Sequence, residues 1–342
     1  MPMVKANHNI KVTKKSLGLG KKDSNIVLHY LVYYNNIVFL INFSNTKYLI
    51  MQIKRISQYK NLLGEGPWWN NKTKNLYWTD IIEGKLYSYD PETKYETFKK
   101  FNGKLGCFAP CKNGSFLVGL DLSFFIYDPN TGETTKFLDL EGEPPENRIN
   151  DGTTDPYGRF WVGTMTAEGH SKKQNGSLYC ISPNKGIKKH LSQIYTSNGL
   201  AFNELGTKMY FADTGKDVQT IWEFDYELKS GIPRNKKVFA KTFNLKGRPD
   251  GATVDVDGFY WVAGVEGSEL YRFNENGEID SIINLPVEKP TKLVFGGKNF
   301  DMIYVTSIGK GFDKNDKSKL NGFILEISNH KFKGFALKEF EF

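Results

Sequence analysis

Residues 155–164 read DPYGRFWVGT and residues 255–264 read DVDGFYWVAG. Each is a polar, glycine-containing turn followed by aromatic, β-branched and small residues, the composition of a tight turn that leads into a buried strand. Four further stretches repeat the pattern: NKTKNLYWTD (71–80), CKNGSFLVGL (111–120), ELGTKMYFAD (204–213) and KNFDMIYVTS (298–307). Anchored on Tyr77, Phe116, Phe160, Tyr210, Tyr260 and Ile303, the six copies recur at spacings of 39, 44, 50, 50 and 43 residues. Five are followed directly by a second strand-like run, for example GKLYSYDPET (84–93) and GSLYCISPNKG (176–186). Four short strands per unit, repeated with a period of about 40–50 residues, mark a β-propeller. No stretch longer than a few residues carries helical periodicity. The sequence therefore predicts an all-β, six-bladed propeller over residues 49–342, with IMQIKRISQY (50–59) completing the last blade and closing the ring.

Charge is distributed unevenly. The chain of 342 residues has a formal net charge of +8, yet residues 1–60 alone carry ten Lys/Arg and one acid, Asp23. The rest is close to neutral, so the body of the protein presents no electrostatic footprint for nucleic acid. Residues 1–48 read as a basic extension outside the fold, a gene-model artefact being one origin. Their apolar run, Ile26–Ile41, is broken by His29, Asn35 and Asn36 and falls short of the roughly 20 apolar residues of a membrane span; an anchor is the alternative reading. Three cysteines, Cys107, Cys111 and Cys180, cannot close a disulfide framework and lack zinc-site spacing. They read as small buried thiols in a reducing, cytoplasmic compartment.

Counting back from each anchor locates the start of the innermost strand. Glu65 lies 12 residues before Tyr77 and Asn198 12 before Tyr210, while Asn150 and Asp250 lie 10 before Phe160 and Tyr260. Each has a glycine within two residues, in GEGP, SNGL, INDG and PDGA. Innermost strands line the channel of a propeller, so this register brings two carboxylates and two carboxamides together at one end of the axis. Buried like charges need compensation. A hard divalent cation supplies it through carboxylate, carboxamide and water oxygens, and Glu65 reads as a ligand. The other two blades place Gly106–Cys107 and Thr291–Lys292 in this register and offer no carboxylate. The fold expectation is thus a six-bladed propeller with a metal site on its central axis.

GEGPWW (64–69), RINDGTTDPYGRFWVGTM (148–165), SNGLAFNELGTKMYFADT (197–214), RPDGATVDVDGFYWVA (248–263) and LPVEKPTKLVFGGKNFDMIYVTS (285–307) resemble, in this order, the motifs of the senescence marker protein / regucalcin / gluconolactonase family. The resemblance covers about residues 50–330 and implies a six-bladed propeller with one catalytic divalent metal. It implies lactone hydrolysis, with luciferin-regenerating and organophosphate-hydrolysing members as relatives. By motif, Glu65, Asn198 and Asp250 correspond to the metal ligands, and Arg148 and Asn150 to a substrate-contacting pair. Lys292 departs from the family, where many members have a small residue after the Thr; it is read as lying near the channel mouth, where it would alter substrate size and charge.

The chemistry expected is attack of water on a lactone, with the cation (calcium first; zinc, magnesium or manganese as alternatives) polarising the carbonyl and acidifying water. Asp250 is the expected proton acceptor, Arg148 pairs with a developing oxyanion or with sugar hydroxyls, and Asn150 donates and accepts toward a polyol. The alternatives are a calcium-binding regulatory propeller without turnover, and luciferin recycling or phosphotriester hydrolysis on the same metal. None of the five histidines falls in the ring register. No G-x-S-x-G elbow, phosphate-cradling loop or dinucleotide fingerprint is present. The partner expected is a small-molecule lactone, with no nucleic acid and no membrane, and the expected state is a monomer. Trp68 and Trp69 read as packing rather than substrate stacking.

Overall fold

The computed structural model describes residues 49–167, 173–312 and 320–342, together with strand segments at 11–13, 29–34 and 37–42. Six antiparallel sheets follow one another in the chain. The first blade is built from Gly64–Asn70, Asn75–Asp80, Lys85–Tyr89 and Glu96–Lys100. Four more blades repeat this order, their inner strands being Leu105–Pro110, Asn147–Thr154, Ser197–Phe202 and Arg248–Val254. In the sixth, Pro290–Gly296, Met302–Ser307 and Leu325–Ser328 are joined by Leu49–Arg55 from the start of the propeller. The ring closes with this strand exchange, as the sequence reading expected. Each inner strand packs on the next and the sixth packs on the first. Among the described residues no helix is long and apolar enough to cross a membrane.

Most of residues 1–48 lie outside the described residues, as does His170. Two segments from that stretch, His29–Tyr34 and Ile37–Asn42, pair as a hairpin whose second strand runs antiparallel to Leu49–Arg55, at the outer edge of the sixth sheet.

The repeated turn-and-strand pattern has a local cause. In DPYGR the Asp155 Oδ1 accepts hydrogen bonds from the Tyr157 and Arg159 amides at 2.9 and 3.0 Å. In DVDGF the Asp255 Oδ1 accepts from Asp257 and Phe259 at 3.0 Å each. The other carboxylate oxygen of each aspartate takes the indole N–H of the Trp that follows the anchor, Trp161 at 3.4 Å and Trp261 at 2.8 Å. One residue thus folds the turn and satisfies the polar tip of a ring whose body is buried between blades. Trp78, Trp161 and Trp261 are all fully buried, and truncating any of them to Ala should cost about 3–5 kcal/mol. Trp68 and Trp69 are also core residues, Trp69 stacked on Tyr304. All three cysteines are free and buried.

The C-terminal residues 329–342 cross the end of the channel at which the inner strands finish. Their backbone bonds to Phe300 and Val256 on one side and to Pro110, Lys112 and Gly158 on the other, and Phe340 is fully buried. Between this strap and the middle of the channel lies a cavity of about 410 Å³, lined by Trp68, Phe108, Leu200, Phe202, Phe335 and Leu337.

Candidate metal centre

Every inner strand breaks its pairing with the second strand at the register read from the sequence. The ladder shifts between Glu65 and Trp68, Ile149 and Gly152, Asn198 and Ala201, Pro249 and Ala252, and Pro290 and Leu293. In the second blade Gly106 is the extra residue. Such bulges leave an unpaired residue and re-aim its side chain. Gly66 and Gly199 take left-handed φ values of 54° and 66° inside them, a conformation that explains the glycine beside Glu65 and Asn198.

These bulges bring the predicted residues together as a buried polar ring. Glu65, Arg148, Asn150, Asn198 and Asp250 are each 7% exposed or less. The Asn150 amide donates to Asn198 Oδ1 at 3.0 Å and to the Ser197 carbonyl at 2.9 Å. Arg148 Nη1 donates to Asn150 Oδ1 at 2.7 Å and to its neighbour's carbonyl at 2.9 Å. The Asn198 amide donates to Thr214 Oγ1 at 2.7 Å, and that hydroxyl donates to the Pro249 carbonyl at 2.6 Å. Among the described residues the Glu65 carboxylate accepts a hydrogen bond from the Gly66 amide alone, at 3.0 Å. The Asp250 carboxylate accepts none among the described residues.

Electrostatics record the same crowding. Burial, and then the Asp151 charge, push the Glu65 carboxyl up to about 7. Burial, and then Glu65 and Asp151, hold Asp250 well above the usual carboxylate range. Burial lowers the Arg148 guanidinium to about 10, with Glu65 and Asp250 opposing that fall; it stays charged at neutral pH. Two buried carboxylates, one of them accepting no hydrogen bond among the described residues, therefore share a site with two carboxamide oxygens. This donor set fits a hard divalent cation, because the positive charge would offset both the burial of the two carboxylates and their mutual repulsion. Among the described residues no group of three His, Cys, Asp or Glu is placed to hold a metal, so carboxamide oxygens would have to complete the set.

Lys292 does not lie at the channel mouth as expected. It is 5% exposed, and its ammonium donates to Asp151 Oδ1 at 2.5 Å and to the Gly152 carbonyl at 3.1 Å. Its charge is spent within the channel, not offered to an incoming molecule. Three other residues escaped the sequence reading. Thr214 ties Asn198 to the strand that carries Asp250. Arg248 donates to the Thr214 carbonyl at 3.0 Å and to Glu266 at 2.9 Å. Arg248 was findable, since R-x-D at 248–250 repeats the R-x-N of 148–150. Asp151 adjoins a residue already singled out, but its partner lies 141 positions away in the chain.

Fold and site together define a six-bladed propeller with a buried, oxygen-rich polar ring in its channel. Within that class the assignment is specific: the chain belongs to the SMP-30/Gluconolactonase/LRE-like family, whose model matches residues 63–309. Regucalcin of Xenopus laevis is 30% identical over 280 residues, covering 80% of this chain and 93% of that protein. The 6-deoxy-6-sulfogluconolactonase of Pseudomonas putida is 30% identical over 255 residues, covering 75% and 86%. Among solved structures, the calcium-binding protein regucalcin from Agrobacterium tumefaciens aligns with a TM-score of 0.78 at 25% identity, covering 84% of this chain and 97% of that one.

Proposed function

We propose that this protein is a divalent-metal-dependent hydrolase of lactones, sugar aldonolactones being the first candidates. The observation that carries the reading is the buried carboxylate of Asp250, which accepts no hydrogen bond among the described residues and is crowded by the Glu65 charge, in a chain whose relatives include a sugar lactonase. Glu65, Asn198 and Asp250 are the proposed ligands, with calcium the first candidate ion. When bound, the cation would polarise the lactone carbonyl and acidify water.

The chain's own residues supply the rest. Asp250 takes the proton of the attacking water as its oxygen bonds to the carbonyl carbon. Arg148 is aimed by Asn150 and by a backbone carbonyl, and its charge stabilises the oxyanion that forms on the substrate. As the ring C–O bond breaks, the proton held by Asp250 passes to the leaving alkoxide, and a hydroxy acid results. Both N–H groups of Asn150 are committed to Ser197 and Asn198, so it does not donate to a polyol as the sequence suggested; the second lone pair of its Oδ1 is left to accept from a substrate hydroxyl.

The test is acid release from a panel of aldonolactones by purified protein, dialysed against chelator and resupplied with Ca²⁺, Mg²⁺, Mn²⁺ or Zn²⁺. Metal-dependent acid release on at least one lactone is expected. Tight cation binding with no turnover on the whole panel would replace the hydrolase by a calcium-binding propeller.

A further inference from the structure

The sixth blade contributes no ligand to the ring, yet its two register residues both act on it. Thr291 Oγ1 donates to the Gly64 carbonyl at 2.6 Å, immediately before Glu65, and bonds Thr306 at 2.8 Å. Lys292 reaches the opposite way. Its partner Asp151 belongs to the third blade, three blades round a ring of six, so the side chain spans the channel. The stem passes over the bulge of the fifth blade, where a Cβ on Gly251 would stand 2.4 Å from Lys292 Cγ. Asp151 then uses its second oxygen to accept the Leu200 amide of the fourth blade at 3.1 Å. Both ends of the pair are nearly sealed from solvent, at 7% and 2% side-chain exposure.

We infer that Lys292 and Asp151 form a crossbar that holds the inner strands of the third and fourth blades in register, and so positions Asn150 and Asn198. Each strand is bulged at this level and has lost ladder hydrogen bonds to its own blade. Hydrogen bonds aim the two carboxamides, and the crossbar, attached within two residues of both, fixes the backbone that carries them. Lys292 acts through these residues and is a positioning residue. The pair also separates the ring from the apolar cavity closed by the C-terminal strap, since Lys292 and Gly152 line that cavity on its ring side. A buried ion pair is a poor source of stability compared with apolar groups of the same size, so its use here points to a geometric role. The consequence for catalysis rests on the lactonase reading; the geometric role does not.

The experiment compares wild type, Lys292→Met and the double variant Lys292→Met/Asp151→Asn. The single variant leaves a buried carboxylate unpaired and is the one at risk of not folding. The double variant is neutral, and the carboxamide oxygen introduced by Asp151→Asn can still accept the Leu200 amide. Amide hydrogen exchange in chelator is followed for peptides covering 147–154 and 197–202, alongside calcium affinity by calorimetry and lactone kinetics. A crossbar predicts that the double variant exchanges at least tenfold faster in both peptides while the first and second blades are unchanged. It predicts calcium binding weakened about tenfold, and kcat lowered by about 10²-fold with KM nearly constant, the scale of a misplacement near 1 Å. Wild-type exchange and wild-type affinity in the double variant would overturn the proposal, leaving an ion pair that matters only when broken. If the wild-type protein hydrolyses no lactone, the functional reading fails, and the exchange measurement still decides the crossbar.

Discussion

Removing one charge from the metal-free ring should make the protein more stable, and the gain should grow with pH. Glu65 is raised from 4.5 to about 7 by burial first and by the Asp151 charge second. Its folded form therefore keeps a proton that the unfolded chain releases between those values. Below about pH 4.5 both states are protonated and the group costs nothing. As pH rises toward 7 the folded state loses stability at up to 1.4 kcal/mol per pH unit, and the full excursion is on the order of 3 kcal/mol. For a domain of this size that is a fall of about 5 °C in melting midpoint. The assay is thermal unfolding in chelator from pH 4.5 to 8 for wild type and Glu65→Gln, read as the difference between the curves. The variant should match wild type near pH 4.5 and exceed it by several degrees at pH 8. Adding a divalent cation at about 100 times its Kd should return roughly 2.7 kcal/mol to the wild type and much less to the variant. Parallel curves at every pH in chelator would refute the argument that Glu65 is held at a cost.

Arg148→Ala should lower kcat/KM about 10²–10³-fold, the usual loss for an oxyanion donor, with metal affinity within about twofold of wild type; calorimetry and initial rates distinguish this from a ligand role. We propose that the folded unit begins at residue 49. Deleting residues 1–48 should therefore leave a cooperative unfolding transition, while exposing the edge of Leu49–Arg55 to self-association visible by size-exclusion chromatography. His190 packs on Trp161, and burial, then Lys188 and Arg159, depress its pKa from 6.5 to about 4. The unfolded chain binds that proton first, so His190 contributes stability that is complete above pH 6.5 and is lost as pH falls toward 4. His190→Asn should remove on the order of 1 kcal/mol of this acid sensitivity, discounted for the ring's partial exposure.

The fold was legible because a propeller writes its period into the chain: six turn-and-strand copies fixed the blade count, and the Asp of DPYG and DVDG does locally what the pattern implied. The ring was legible by counting from the anchors, since Glu65, Asn150, Asn198 and Asp250 converge as the register required. What counting could not reveal is direction. A bulge turns a side chain off the two-residue alternation, so Lys292, placed at the mouth by register alone, in fact reaches across the channel to Asp151. The strap of residues 329–342 carries no strand periodicity, and only the tertiary structure shows that it closes the channel. The hydroxyl of Thr214 bridges two blades, and no local motif announces such a contact.

The central claim is that Asp250 both binds the cation and takes the proton from water. It is tested most directly by the rate of lactone ring opening against cation concentration for wild type, Glu65→Gln and Asp250→Asn. No wild-type rate is expected in chelator, with full recovery at saturating cation. Glu65→Gln should recover most of its activity at higher concentration, and Asp250→Asn should retain a deficit of about 10²–10⁴-fold however much cation is added. A wild-type rate indifferent to chelation, or complete rescue of Asp250→Asn by cation, would contradict it.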